Sequence, residues 1–89
     1  MISTTEHEER ERHAIVAGLL IPADWDEGGA ITAIAVSTYS EEEYLIEPNP
    51  KGEELFAFVR QKVEIRGRVK MQGRGRKLIT VKEYEILEE

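Results

Sequence analysis

Basic side chains crowd one stretch of this chain, and their spacing suits the recognition of phosphate. Between Arg60 and Lys82 the sequence carries nine lysines and arginines and one acid, Glu64, a net charge of +8. The remainder carries −14, because the whole chain has a net charge of −6. Arginine pairs bidentately with phosphate and stacks on bases, so this stretch predicts a surface that binds a polyanion. The candidate residues are Arg66, Arg68, Lys70, Arg74, Arg76 and Lys77.

Aromatic rings are the second requirement for binding single-stranded nucleic acid, since each stacked base contributes about 1–3 kcal/mol. Tyr39 and Tyr44 are the candidate platforms. The three glutamates at positions 41–43 lie between them and would repel phosphate. The acidic total favours another interpretation of the basic stretch, in which it is a solvated hairpin whose charges discourage aggregation.

The single tryptophan, Trp25, lies in the acidic segment Asp-Trp-Asp-Glu-Gly-Gly at residues 24–29. An exposed tryptophan would anchor a protein partner, whereas a tryptophan that folds back would cap one end of the domain. We favour the second because most tryptophans are largely buried. The segment is only faintly similar to a calcium-binding loop, since Gly28 and Ala35 occupy positions that require ligands, so no metal site is predicted.

Catalytic chemistry has little support in these residues. His7 and His13 have no cysteine or nucleophilic serine to act with, and Asn49-Pro-Lys-Gly lacks the phosphate-loop pattern. The sequence therefore predicts a protein that is not an enzyme and has no cofactor. The absence of cysteine, of a signal peptide and of a long apolar run predicts a cytoplasmic protein with no membrane partner.

Residues 1–12 are polar apart from Met1 and Ile2 and predict a flexible tail, followed by a single domain over residues 13–87. Alternating or continuous apolar runs between turn residues predict five strands. We expect them at His13–Pro22, Ala30–Thr38, Tyr44–Glu47, Lys62–Met71 and Arg76–Leu87.

A short helix is predicted between the third and fourth strands, over residues 50–60. Asn49 is a good N-cap and Pro50 suits the first helical position. The apolar side of this helix is expected to close one end of the sheet with Leu55, Phe56 and Val59.

The apolar pattern also predicts where the strands bend. Gly18 indicates a bulge or sharp coil in the first strand, and Gly67 interrupts the apolar side of the fourth. In the fifth strand the inward set shifts from Ile79 and Val81 to Tyr84 and Ile86, which predicts a bulge near residues 82–83.

This element order, with a helix between strands three and four and glycines within strands one and four, resembles the oligonucleotide/oligosaccharide-binding (OB) fold. The resemblance extends to short, free-standing bacterial proteins of this architecture. It implies an all-β, five-stranded Greek-key barrel, with an SH3-like barrel or an open meander as the alternatives. We expect a binding module that holds single-stranded nucleic acid on the basic hairpin between strands four and five. The alternative is a protein-interaction or self-association module with complementary acidic and basic faces.

Overall fold

The computed structural model describes residues 11–72 and 76–87. The polar residues 1–10, Arg74 and the side chain of Arg76 lie outside the described part of the chain. The strands are β1 (Glu11–Trp25), β2 (Ile31–Thr38), β3 (Glu43–Ile46), β4 (Lys62–Gln72) and β5 (Arg76–Ile86). Between β3 and β4 lie the helix α1 (Pro50–Glu54) and a 3₁₀ turn (Leu55–Phe58).

The five strands close into a barrel in the order β1-β2-β3-β5-β4. The pairing of β3 with β5 is parallel, and every other pairing is antiparallel. This confirms the predicted OB-type order and the position of the helix, and it excludes the open meander.

Closure depends on the coiling of β1, whose first half pairs with β4 and whose second half pairs with β2. Gly18 lies at the transition, opposite Val63 of β4 and Thr38 of β2. A Cβ atom at Gly18 would collide with the backbone carbonyl oxygen of Ser37, so only glycine allows the strands this close. The predicted sharp coil at Gly18 is confirmed. The irregularity in the β1–β2 register lies elsewhere, near the end of β1 between Pro22 and Asp24.

The predicted bulge in β5 is also confirmed. Arg66 pairs with Glu83 and Gly67 pairs with Val81, so Lys82 has no opposite residue in the ladder. The extra residue shifts the alternation of the strand, so Ile79 and Val81 point inward before the bulge and Tyr84 and Ile86 point inward after it.

The core is made by the inward side chains of all five strands and by Leu55. Its fully buried members each contribute about 1.5–3 kcal/mol relative to an exposed side chain. The largest are Leu20, Ile34, Leu55, Ile65, Ile79, Val36, Val63 and Val81.

The helix begins where the sequence predicts it. The Asn49 side chain accepts a hydrogen bond from the Gly52 amide at 2.6 Å and donates one to the Val81 carbonyl at 3.3 Å. It thereby caps α1 and ties it to β5. Leu55 is fully buried and Val59 packs against the core, as predicted.

The prediction that Phe56 closes the barrel is wrong, because its side chain is 38% exposed. The chain tightens into a 3₁₀ turn after Glu54, and residues three apart then lie above one another. Phe58 therefore lies on the same side of the turn as Leu55, facing the barrel. Its ring packs against Tyr84, with the ring centroids 6.2 Å apart. No helix in the described residues has the length and apolar character needed to cross a membrane.

Candidate functional site

Two of the predicted basic residues, Lys70 and Lys77, lie at the hairpin end of the barrel, where β4 passes into β5, whereas Arg66 lies in the middle of β4. His13 pairs with Arg68 across β1 and β4, and Lys77 of β5 lies beside Tyr44 of β3. Lys70 lies two pairs further along β4, opposite Leu78. β4 and β5 therefore bring lysines to the same end of the barrel, opposite the helix.

Arg12 joins this group and was not among the residues predicted from the sequence. It lies opposite Val69 in the β1–β4 ladder. The sequence analysis placed Arg12 in the tail, because the strand signal began with the apolar run after His13. The antiparallel pairing of β1 with β4 is the signal that would have revealed it, since it places residues before His13 beside the end of β4.

An open pocket of about 620 Å³, which we call the mouth pocket, lies at the hairpin end. Its apolar part is formed by Ala14, Val69 and Met71, and Met71 is 51% exposed because it lies near the hairpin end of β4. The remaining lining residues are polar or aromatic: Arg12, His13, Tyr44 and Lys77. The pocket thus combines an apolar floor with a cationic rim.

At the edge of the mouth pocket, Glu42 links Tyr44 and Lys77. The Tyr44 hydroxyl donates a hydrogen bond to Glu42 Oε1 at 2.9 Å, and Lys77 Nζ lies 3.2 Å from the same oxygen. Lys77 Nζ also lies over the Tyr44 ring, 5.2 Å from its centroid. The hydrogen bond from Tyr44 and the nearby ammonium group lower the pKa of Glu42. Desolvation, followed by the hydrogen bond to Glu42, raises the pKa of Tyr44.

The two predicted aromatic platforms lie in different surroundings. Tyr44 is half-buried against the core and lines the mouth pocket instead of projecting from the outer surface of the sheet. Tyr39 is 77% exposed in the turn after β2. The pairing of Ala35 with Leu45 places small and aliphatic side chains at the centre of the β2–β3 sheet. That sheet therefore resembles a packing surface more than a stacking platform.

Several of the predicted phosphate-binding cations are engaged by carboxylates. Lys70 Nζ lies 3.9 Å from Glu47, and Arg66 lies 3.7 Å from Glu64 and 3.8 Å from Glu83. Ion pairs that are largely open to solvent, as these are, contribute only about 0–1 kcal/mol.

Trp25 is 53% exposed, so the expectation that it caps the barrel is wrong. The loop beside it closes through Asp26, whose Oδ1 accepts hydrogen bonds from the Gly28 and Ala30 amides, both at 2.9 Å. No group of three or more potential metal ligands occurs within residues 11–72 and 76–87.

A second surface lies on the outside of β1. Ile15 is 64% exposed and Leu19 is 40% exposed, and the alternation of the strand places both on the outer side of the barrel. Ile15 lines a shallow groove of about 740 Å³ together with Arg66 and Glu83. This apolar row beside charges of both signs is the second candidate surface.

No protein-family model, curated protein or solved structure matches the chain. The geometry of these two surfaces is therefore the basis on which function is argued.

Proposed function

We propose that this protein is a non-catalytic binding module of the OB-fold superfamily that holds single-stranded nucleic acid at the hairpin end of its barrel. The strand order supports membership of the superfamily, and the absence of cysteine is compatible with action in the cytoplasm. The convergence of cations from β1, β4 and β5 at one end carries the proposal.

Single strands are bound by a cationic groove that follows the backbone and by apolar or aromatic surfaces that contact bases. Arg68 and Lys70 lie on the outer side of β4, whereas Arg12 and Lys77 line the mouth pocket with Val69 and Met71 on the inner side. A bound strand would pass from the outer cations to the pocket around the hairpin end of the barrel. In this arrangement the acidic residues of the domain repel wrongly placed phosphates, and the local cations determine where the strand lies.

The test is the binding of a labelled oligothymidylate of about 12 nucleotides, within the range of roughly 4–16 that an OB domain covers. Four phosphate contacts predict that log K falls with log salt concentration at a slope of about −3. Fluorescence anisotropy at several salt concentrations measures this slope. A flat salt response, or no binding at low salt, would overturn the proposal.

A matched pair of double variants locates the contact. Arg68→Gln with Lys70→Gln should weaken binding and reduce the salt slope by about 1.4, the loss of two single-strand contacts. Arg60→Gln with Lys51→Gln removes the same charge near the helix and should leave the slope unchanged. Equal effects of the two pairs would show that net charge, and not a site at the hairpin end, governs binding.

Self-association is the second candidate, and the exposed apolar row on β1 is the observation that favours it. Interfaces combine an apolar centre with a polar rim, and Ile15 beside the charged pair of Arg66 and Glu83 has this character. The occupant would be a second copy of this chain, whose acidic turns at residues 24–27 and 41–43 complement cations on β4. Sedimentation equilibrium tests this, with Ile15→Glu expected to abolish dimers and Phe56→Glu, an exposed residue of the 3₁₀ turn, expected to leave them intact.

A further inference from the structure

We propose that the mouth pocket binds a nucleobase together with its phosphate, either as a free mononucleotide or as one unstacked nucleotide of a bound strand. For the strand, the inference rests on the function proposed above, whereas for the free nucleotide it stands independently of that function.

The size and apolar lining of the mouth pocket suit a flat aromatic group. Its volume of about 620 Å³ lies within the ~300–1,000 Å³ typical of small-molecule sites. Val69, Met71 and the half-buried Tyr44 line it, and Met71 is 51% exposed. Thioether and aromatic side chains make favourable contacts with aromatic rings, and any base offers such a ring.

The rim supplies the partners for a phosphate. Among the described residues Arg12 makes no ion pair, although its guanidinium group is suited to bidentate contact with phosphate. Lys77 is held by Glu42 at 3.2 Å, a contact in which the Glu42 side chain is 45% exposed. The pair is partly exposed, with the Lys77 side chain at 27%, and we expect a phosphate oxygen to take the place of the carboxylate.

Neither component of this ligand alone matches the whole pocket. A neutral aromatic molecule would fill the apolar floor but would leave the cations of Arg12 and Lys77 without a new partner. An inorganic anion would engage those cations but would leave the floor hydrated. A nucleotide joins an aromatic body to an anion, which is the combination that the lining residues present.

The first experiment separates the contributions of the base and the phosphate. The full chain is titrated with AMP, adenosine and ribose 5-phosphate, and binding is monitored by two-dimensional amide NMR. AMP should bind with a dissociation constant of about 0.1–1 mM, a moderate efficiency for a ligand of its size. The amide shifts should centre on Ala14, Tyr44, Val69 and Met71. Adenosine should bind roughly tenfold more weakly because it lacks the two partly exposed charge contacts. Ribose 5-phosphate should bind at least roughly tenfold more weakly because it lacks the base, whose contacts contribute about 1–3 kcal/mol. Equal binding of all three, or shifts centred elsewhere, would overturn the inference.

A matched lysine pair tests the role of the rim. Lys77→Met should weaken AMP binding by roughly three- to tenfold and leave adenosine binding unchanged. Lys51 is the control, because it also lies over a tyrosine, Tyr84, and beside a glutamate, Glu54, but near the helix. Lys51→Met should have no effect on either ligand. Similar losses in both variants would contradict the site.

Glu42→Gln provides a test in the opposite direction. It removes the carboxylate that competes for Lys77 and should strengthen AMP binding, whereas a variant that merely disturbs the turn would weaken it. Unchanged or weaker AMP binding by a folded Glu42→Gln protein would contradict the proposal that phosphate displaces the Glu42 carboxylate from Lys77.

The free and strand-bound cases separate when an oligothymidylate is added in the same NMR experiment. Shifts at Arg68 and Lys70 without shifts at Ala14 and Tyr44 would overturn the strand-bound case and leave the proposed function standing. AMP shifts in the pocket, with no oligonucleotide binding at low salt, would support the pocket and remove the proposed function.

Discussion

Tyr44 and Tyr84 occupy equivalent settings toward opposite ends of β5. Each donates its hydroxyl to a glutamate, Tyr44 to Glu42 at 2.9 Å and Tyr84 to Glu54 at 2.8 Å. Each also lies beneath a lysine, Lys77 at 5.2 Å from the ring centroid and Lys51 at 5.7 Å. Only the Tyr44 arrangement borders the mouth pocket, so the Tyr84 arrangement is a control within the same molecule.

Alkaline pH should destabilise the domain through both tyrosines. The pKa of Tyr44 is raised, chiefly by desolvation, and that of Tyr84 is raised, chiefly by its hydrogen bond to Glu54. A raised pKa means that the folded state holds the proton more tightly. The contribution is complete below the ordinary tyrosine value near 10 and is lost as pH rises through the folded-state value.

Urea denaturation on either side of pH 10 measures this loss, which should be smaller in Tyr44→Phe and in Tyr84→Phe than in the parent protein. A parent protein whose free energy of unfolding does not fall above pH 10 would contradict the assignment.

Acidic pH should destabilise the domain through Glu42. Its pKa is lowered from the usual 4.5 by the hydrogen bond from Tyr44 and by Lys77. A depressed pKa contributes stability above the unfolded value, and that stability is lost as pH falls through the folded value. Tyr44→Phe should move the pKa of Glu42 back toward 4.5, as followed by carboxyl NMR. Tyr84→Phe should leave the Glu42 titration unchanged, and an identical shift in both variants would show that Tyr44 does not act directly.

Gly67 should tolerate no side chain. A Cβ atom there would collide with the Thr80 carbonyl oxygen, which belongs to the backbone of the paired strand and cannot rotate away. Gly67→Ala should therefore lower the free energy of unfolding by about 3 kcal/mol, at the upper end of the range for overpacking. Gly28→Ala is the control, since its nearest atom would be the Asp26 carboxylate at 3.6 Å. Urea denaturation of the two variants gives the comparison, and equal stabilities would disprove the close approach of β4 and β5.

The strands and the bulge in β5 were predictable because the alternation of apolar residues is a local signal. The shift from Val81 to Tyr84 in the inward set required an extra residue, and Lys82 supplies it. The helix start was predictable for the same reason, since Asn49 and Pro50 determine it locally. Phe56 was misplaced because the change from an α-helix to a 3₁₀ turn after Glu54 has no clear signal in the sequence.

The candidate site was less predictable, because it depends on which strands become neighbours. The grouping of Arg66, Arg68 and Lys70 followed from the period of a single strand. The pairing of Lys70 with Glu47 did not, since Glu47 reaches it only because β3 pairs with β5, whereas Arg66 meets Glu83 directly across the β4–β5 hairpin. The inward orientation of Tyr44 likewise follows from the parallel pairing of β3 with β5, a long-range contact.

Arg60 should be a position where glycine stabilises the protein. Its φ angle is +77°, in the left-handed region that costs a residue with a Cβ atom about 1–2 kcal/mol. The turn is held by hydrogen bonds from the Arg60 amide to the Leu20 carbonyl at 2.8 Å and from the Leu20 amide to the Gln61 carbonyl at 3.0 Å, so the backbone cannot relax. Arg60→Gly removes the strain but makes the unfolded chain more flexible, and a net gain of about 0.5–1 kcal/mol should remain. Arg60→Ala keeps the strain and should give no gain by urea denaturation, so a stabilised alanine variant would indicate that the arginine charge, and not the backbone, is unfavourable.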